Sequence, residues 1–235
     1  MKKQLLLLVL IIAYGSLAKA QRSDSYTNTG TGNSSYTLGV HVGSQGFGLN
    51  VAYDISDVFA VRVASSFAPY GLNKTRDWGN QQYTVDMDAK FYNAQAVAEY
   101  KPFAITSNSS FVKKLALVGG FAYFFKSEAD ATATPKDDYH YGEVVIPKED
   151  LGSVKSNIKW KGFAPYLGAG IRSFHLGGSF GLNVDLGTYY LSSPDVTITA
   201  DKMLSENTAN EQTVQENMKS YRWLPVLQVG LSYRF

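Results

Sequence analysis

The sequence predicts an all-β fold: an eight-stranded antiparallel up-and-down transmembrane β-barrel, with a short polar helix in the last outer loop. Three observations predict it. The terminal run Tyr221–Phe235 alternates over its whole length, with Tyr221, Trp223, Pro225, Leu227, Val229, Leu231, Tyr233 and Phe235 on one face and Arg222, Leu224, Val226, Gln228, Gly230, Ser232 and Arg234 on the other. Successive side chains of a strand point to opposite faces, so this strand presents one apolar, aromatic-ended face. Beyond an N-terminal leader no long apolar run follows, and a membrane chain without such runs must close into a barrel to satisfy its backbone. The alternating segments number eight, and the longest connections between them fall at one end.

The leader occupies residues 1–20. Lys2 and Lys3 precede the apolar run Leu5–Ile12, and Ala18-Lys19-Ala20 supplies a small-x-small cleavage site, the pattern of a secretory signal peptide removed after Ala20. A retained membrane helix would need about 20 apolar residues, more than this run holds. Losing Lys2, Lys3 and Lys19 turns 22 basic against 20 acidic residues into a net charge of −1. That balance excludes the clustered basic excess of a nucleic-acid binder. There is no Cys, hence no lipoprotein anchor, disulfide framework or thiolate metal site. Residues 21–34 are polar and aperiodic and read as a flexible tail before the barrel domain, 35–235.

The first segment, Ser35–Gly43, turns Tyr36, Leu38, Val40 and Val42 outward and Thr37, Gly39 and His41 inward. Ser44-Gln45-Gly46 is a tight turn. The second, Phe47–Ile55, puts Asn50 and Asp54 inside, and the third, Val58–Tyr70, puts Arg62 and Ser66 inside. Gly71–Gln82 reads as a polar loop. The fourth segment, Tyr83–Pro102, reads as changing phase: Tyr83, Val85, Met87, Ala89 and Phe91 share one apolar face, then Tyr92, Ala94, Ala96, Ala98 and Tyr100 another. A one-residue slip flips every side chain, which predicts a β-bulge near Phe91–Asn93 and places Asp86, Asp88 and Lys90 inside above it, with Gln95 and Glu99 inside below. The fifth segment, Val112–Lys126, ends on an inward Lys126.

Residues 127–157 read as a long polar loop. The sixth segment, Ile158–Phe174, turns Tyr166 and Arg172 inward, and His175–Gly178 is a tight turn. The seventh, Ser179–Leu191, turns Asn183 and Asp185 inward. Residues 192–220 hold an extended piece, Asp195–Ala200, and a Gly- and Pro-free stretch, Met203–Lys219, with the pattern of a polar helix. The eighth segment is the terminal one. Both termini then face the periplasm and the three long connections face outside; the further extended piece leaves ten strands open as a count.

An eight-stranded barrel is just wide enough to be filled by its own side chains. The inward set, His41, Arg62, Asp86, Asp88, Lys90, Glu99, Arg172, Asp185, Gln228 and Arg234, mixes both signs, and buried charges are costly unless paired. That reads as an interior polar network, with Arg62, Arg172 and Glu99 as ion-pair members. The alternative is a narrow porin for small solutes. A third reading is a lipid-modifying enzyme built on His41 with Ser66, which needs both within hydrogen-bond reach; the bland reading of His41 is a satisfied interior histidine. His140 and His175 fall in connections. The acids of 127–157 (Glu128, Asp130, Asp137, Asp138, Glu143, Glu149, Asp150) form either a solvated rim or a site for divalent cations or a basic partner.

The segments Phe59–Arg62 (FAVR), Ala98–Phe103 (AEYKPF), Phe163–Gly168 (FAPYLG), Ser193–Thr199 (SPDVTIT) and Gly230–Phe235 (GLSYRF), with the polar helix before Pro225, resemble the small bacterial outer-membrane β-barrel proteins of the outer membrane protein A/X type, and more closely those described as outer-membrane protein β-barrel domains. The resemblance implies insertion by the barrel-assembly machinery, which reads the last strand through Leu227, Val229, Leu231, Tyr233 and above all Phe235. It implies no catalytic residues and no cofactor. It also implies an environment of outer-membrane lipid and lipopolysaccharide, and a structural or surface-contact role through the outer loops. No peptidoglycan-binding domain follows the barrel, so no tether to the cell wall is implied.

Overall fold

In the computed structural model, which describes residues 35–78 and 81–235, the terminal strand closes a ring. Strands β1 (Tyr36–Gly43), β2 (Gly46–Asp54), β3 (Phe59–Trp78), β4 (Gln81–Tyr100), β5 (Leu115–Pro135), β9 (Phe163–Gly177), β10 (Phe180–Tyr190) and β12 (Trp223–Arg234) pair antiparallel in that order. The seam is β1 on β12, running from Thr37 opposite Arg234 to Gly43 opposite Gln228. Closure removes the free edges that a lipid environment does not tolerate. The proposed leader, its cleavage after Ala20 and the tail 21–34 lie outside the described residues.

The outer wall follows the alternation. Leu38, Val40, Leu49, Val51, Val61, Val63, Leu117, Leu167, Leu186, Leu227, Val229 and Leu231 are all exposed on the barrel exterior. Aromatic rings border this aliphatic band at both ends. Near the termini Tyr36 pairs with Tyr53, Phe59 stacks on Tyr100, and Tyr233 packs on Phe180 and Phe235. At the loop end Phe67 packs on Phe47, Tyr92 and Phe125, Phe121 stacks on Phe163, and Tyr190 packs on Trp223. Between Phe59 and Phe67 a tilted strand climbs roughly 20 Å, close to the apolar band of membrane barrels. The chain is a transmembrane barrel that crosses with strands.

Beyond the band the structure departs from the sequence reading. Residues 71–78 and 81–82 are strand, not loop. β3 and β4 continue as one ladder from Phe59 opposite Tyr100 to Trp78 opposite Gln81 without a slip. The bulge lies on β5 instead, where Lys126 faces Tyr92 and Phe124 faces Asn93, leaving Phe125 extra. β4 therefore keeps one phase throughout. Tyr83, Val85, Met87, Ala89 and Phe91 stay on the inner face, and Asp86, Asp88 and Lys90 point outward. Polarity inverts along β4 because the outer face leaves the apolar band and meets water, not because the register slips. Lys126, opposite the outward Tyr92, also lies outside, its Nζ 2.9 Å from Glu128.

The bulge lets β5 change partners. Below it, Leu115–Tyr123 pairs with β9; above it, Glu128–Ala133 pairs with β8 (Val154–Lys159), which pairs with β11 (Asp195–Ala200). The ring thus has eight strands, and the sheet gains two more only beyond it. The stretch 127–157 is mostly ordered: the end of β5, a hairpin of β6 (Tyr139–Tyr141) and β7 (Val144–Ile146), and the short helix α1 (Lys148–Leu151). Ile158 belongs to β8 rather than β9, and β9 runs on through His175 to Gly177, so that turn is only Gly178-Ser179. The expected polar helix is a 3₁₀ stretch, Lys202–Asn210, continued by α2 (Glu211–Met218). It blunts the outer edge of β11: the Val196 and Ile198 amides donate to Gln215 Oε1 (2.7 Å) and Glu211 Oε2 (2.8 Å). Opposite, Ser153 donates its amide to Asp201 Oδ1 (2.5 Å), which holds the Asp201 carboxyl below the usual carboxylate range.

Candidate functional site

Inward parity on β3, β4, β9 and β10 brings four charges to one level. Arg62 grips Asp185 with both terminal nitrogens (3.0 and 3.3 Å) and aims Nε at Glu99 Oε1 (2.6 Å). Arg172 donates Nε to Glu99 Oε2 (2.7 Å) and Nη2 to Asp185 Oδ1 (2.6 Å). Each arginine bridges both acids, so the four form a ring of alternating charge that spans the lumen. All four side chains are at most 11% exposed. Such bidentate, charge-assisted contacts carry a buried charge at tolerable cost.

On the loop side of this ring the lumen fills with apolar and aromatic groups. Tyr189 is fully buried, donates its hydroxyl across the lumen to Gln95 Oε1 (2.6 Å), and packs on Tyr166 and Phe124. Val97, Val118, Ala122, Leu191 and Val226 complete the layer. A polar column lines the other wall. His41 Nε2 lies 2.9 Å from Ser66 Oγ, and Asn50 Nδ2 lies 3.4 Å from His41 Nδ1. The Ser44-Gln45 turn folds Gln45 into the mouth at 1% exposure, where Asn93 donates to its Oε1 (3.4 Å). Gln228 is buried nearby at the seam strand.

On the terminal side, Asp54 accepts from Lys101 Nζ (3.2 Å) and lies 3.5 Å from Arg234 Nη2, whose side chain is half exposed. A cavity of about 40 Å³ separates this mouth from the charge ring, room for a few waters. Of the interior residues expected from the sequence, the structure brings together Arg62, Glu99, Arg172 and Asp185, sets His41 and Gln228 above them and Arg234 below, and excludes Asp86, Asp88 and Lys90. Gln45, Asn93 and Tyr189 complete the filling without having been expected. Tyr189 shares the parity of Asp185 and Gly187, which marks it as inward; a turn residue such as Gln45 carries no such mark.

The His41–Ser66 pair has the spacing of a base and a nucleophile but not the access. Ser66 is 0% exposed, walled in by the barrel. Asn50 Nδ2 lies at the other ring nitrogen, so both nitrogens of His41 have buried side-chain partners. The packing is tight. A Cβ on Gly48 would stand 2.5 Å from His41 Nε2 and 2.1 Å from Ser65 O, both far inside contact. Gly48→Ala is expected to displace the His41 ring and destabilise the barrel by about 1–3 kcal/mol, the cost of overpacking, read as a lower urea midpoint. The acids of 127–157 do not converge: among the described residues no group of three or more His, Cys, Asp or Glu is placed to hold a metal ion.

No protein-family model matches the sequence, and no curated protein is significantly similar to it. Solved structures share its fold. CarO of Acinetobacter baumannii aligns with a TM-score of 0.58 at 21% identity, covering 85% of this chain and 97% of that one. CarO2 of the same organism gives 0.62 at 20% identity, covering 86% and 98%. A major outer membrane protein from Thermus thermophilus gives 0.51 at 16% identity, covering 86% and 100%. The fold is that of bacterial outer-membrane β-barrels.

Proposed function

We propose that this chain is a non-enzymatic outer-membrane barrel whose lumen is sealed and whose function resides in the raised outer sheet. The observation that carries the reading is the alternating ring of Arg62, Glu99, Arg172 and Asp185, backed by the Tyr189 layer: two successive barriers cross a lumen only eight strands wide. In this reading residues 1–20 are removed on export, residues 21–34 form a tail, and both termini lie in the periplasm. The long ends of β3–β5, the β6–β7 hairpin and the β8–β11 extension then stand outside the cell among lipopolysaccharide headgroups. These are ordered strands with capped edges, a platform for surface contact. Tyr139, Val144 and Val145 are exposed on its hairpin.

Purified protein in a planar bilayer tests the seal. The expected result is no steady conductance. Stable unitary currents would replace this reading with the narrow porin, and would require the charge ring to open.

A further inference from the structure

The connection from β4 to β5, residues 101–114, is too long for a turn and carries Lys101, Lys113 and Lys114 with no acidic residue. Its apolar members are not buried: Phe103, Ile105 and Phe111 are 45%, 69% and 50% exposed. In water such a segment would be a liability; at the edge of an apolar band it is an interfacial anchor. Lys101 is occupied by Asp54. Lys114 borders the terminal mouth with Lys113, Asp54 and Asp57 and also reaches the outer wall. Its Nζ sits 4.9 Å above the ring of Phe174, an outward residue at the terminal end of β9, and Lys113 is exposed beside it.

Directly above these lysines, toward the middle of the band, the barrel exterior holds a groove of about 510 Å³. Pro102 and Phe103 overhang it, the small Ala169 leaves its floor recessed, and Leu117, Ile171 and Leu186 line it. Its walls are almost wholly apolar, and it faces lipid. An apolar slot with cations at its terminal end has the polarity of one lipid molecule, tail within the band and headgroup at the interface. The acid-free loop and its paired lysines select the sign of that headgroup.

We infer that this groove binds an anionic phospholipid of the leaflet on the terminal side, an acyl chain lying against Leu117, Ala169, Ile171 and Leu186 and the phosphate meeting Lys113 and Lys114. The inference rests on the proposed orientation only for its cellular source: with the termini in the periplasm, that leaflet is the phospholipid one. The loop then does two things at once. It anchors the barrel's terminal rim at the interface, and it holds a specific lipid against the junction of β5 and β9.

The full barrel, reconstituted in phosphatidylcholine vesicles containing a minor fraction of phosphatidylglycerol and then released into mild detergent, tests this by native mass spectrometry of retained lipid. Phosphatidylglycerol is expected to be enriched over its vesicle fraction by roughly fivefold for each lysine. Lys113→Gln with Lys114→Gln should abolish the enrichment while leaving heat-modifiable migration, the sign of a folded barrel, unchanged. Ala169→Trp, which fills the groove from a lipid-facing position, should lower retention of both lipids. Equal retention of the two lipids by the natural sequence, or enrichment that survives the double substitution, overturns the site. Protease accessibility in cells reads the orientation separately: termini exposed outside would overturn the orientation and leave the lipid site standing.

Discussion

Replacing Arg62 by alanine is expected to cost the barrel about 3–5 kcal/mol, read as a large fall in the urea midpoint for unfolding from detergent or lipid. The reason is that Arg62 serves two carboxylates together. Without it Arg172 alone faces Glu99 and Asp185, and the lumen holds one uncompensated negative charge among groups no more than 11% exposed. The penalty comes from the stranded acid, not from the arginine's own attraction, so a second substitution should relieve it. Arg62→Met with Asp185→Asn removes one charge of each sign and is expected to recover most of the loss. Arg172→Met should behave like Arg62→Ala, since it also touches both acids. A cost below about 1 kcal/mol, the level of an exposed ion pair, would mean that water reaches the ring. That outcome would undercut the sealed lumen independently of any conductance measurement.

What the sequence made legible was the part governed by lipid. Wherever a strand lies in the apolar band, its outward residues are forced to be apolar and its inward ones are free, so alternation alone placed Arg62, Glu99, Arg172 and Asp185 inside. It also marked Leu227, Val229 and Leu231 as outward. Once a strand leaves the band that constraint reverses. Asp86, Asp88 and Lys90 sit on the same outer face as Ala94 and Ala96, but in water, and the inner face becomes the apolar one. Read as a phase slip, this change suggests a bulge on β4; the true bulge, at Phe125 of β5, hides beside Phe124, an adjacent ring that looks the same in sequence. The same loss of contrast disguises the strands at 71–78, 81–82 and 127–135 as loops. Partner choice was not legible either. Nothing local to Glu128–Ala133 says that it pairs with Val154–Lys159 rather than continuing on β9, because that switch depends on where the crossing chain at 160–162 meets the bulge. There Phe124 donates its amide to Gly162 O, and Trp160 donates its amide to Ser127 O.

Deleting Phe235 is expected to lower the amount of inserted barrel in cells severalfold while leaving the refolded barrel almost as stable as before. The structure separates these two effects. Phe235 is 59% exposed; its ring meets Tyr233 edge-on, and its amide donates to Tyr36 O at 3.0 Å. Losing that ring contact and one frayed hydrogen bond at the end of the seam costs about 1 kcal/mol, small against the β1–β12 ladder that remains from Thr37–Arg234 onward. A severalfold fall in membrane levels is therefore too large for stability to explain and points to recognition of the last strand during assembly. Phe47→Leu supplies the control: Phe47 is equally exposed on the lipid face, at 60%, but lies on β2 at the opposite end of the band. It should leave insertion unchanged. If the deletion and the control behave alike, Phe235 is ordinary wall and the assembly role fails. If the deletion instead unfolds the purified barrel, the terminal residue closes the seam, and the ladder contributes less to closure than its continuous register indicates.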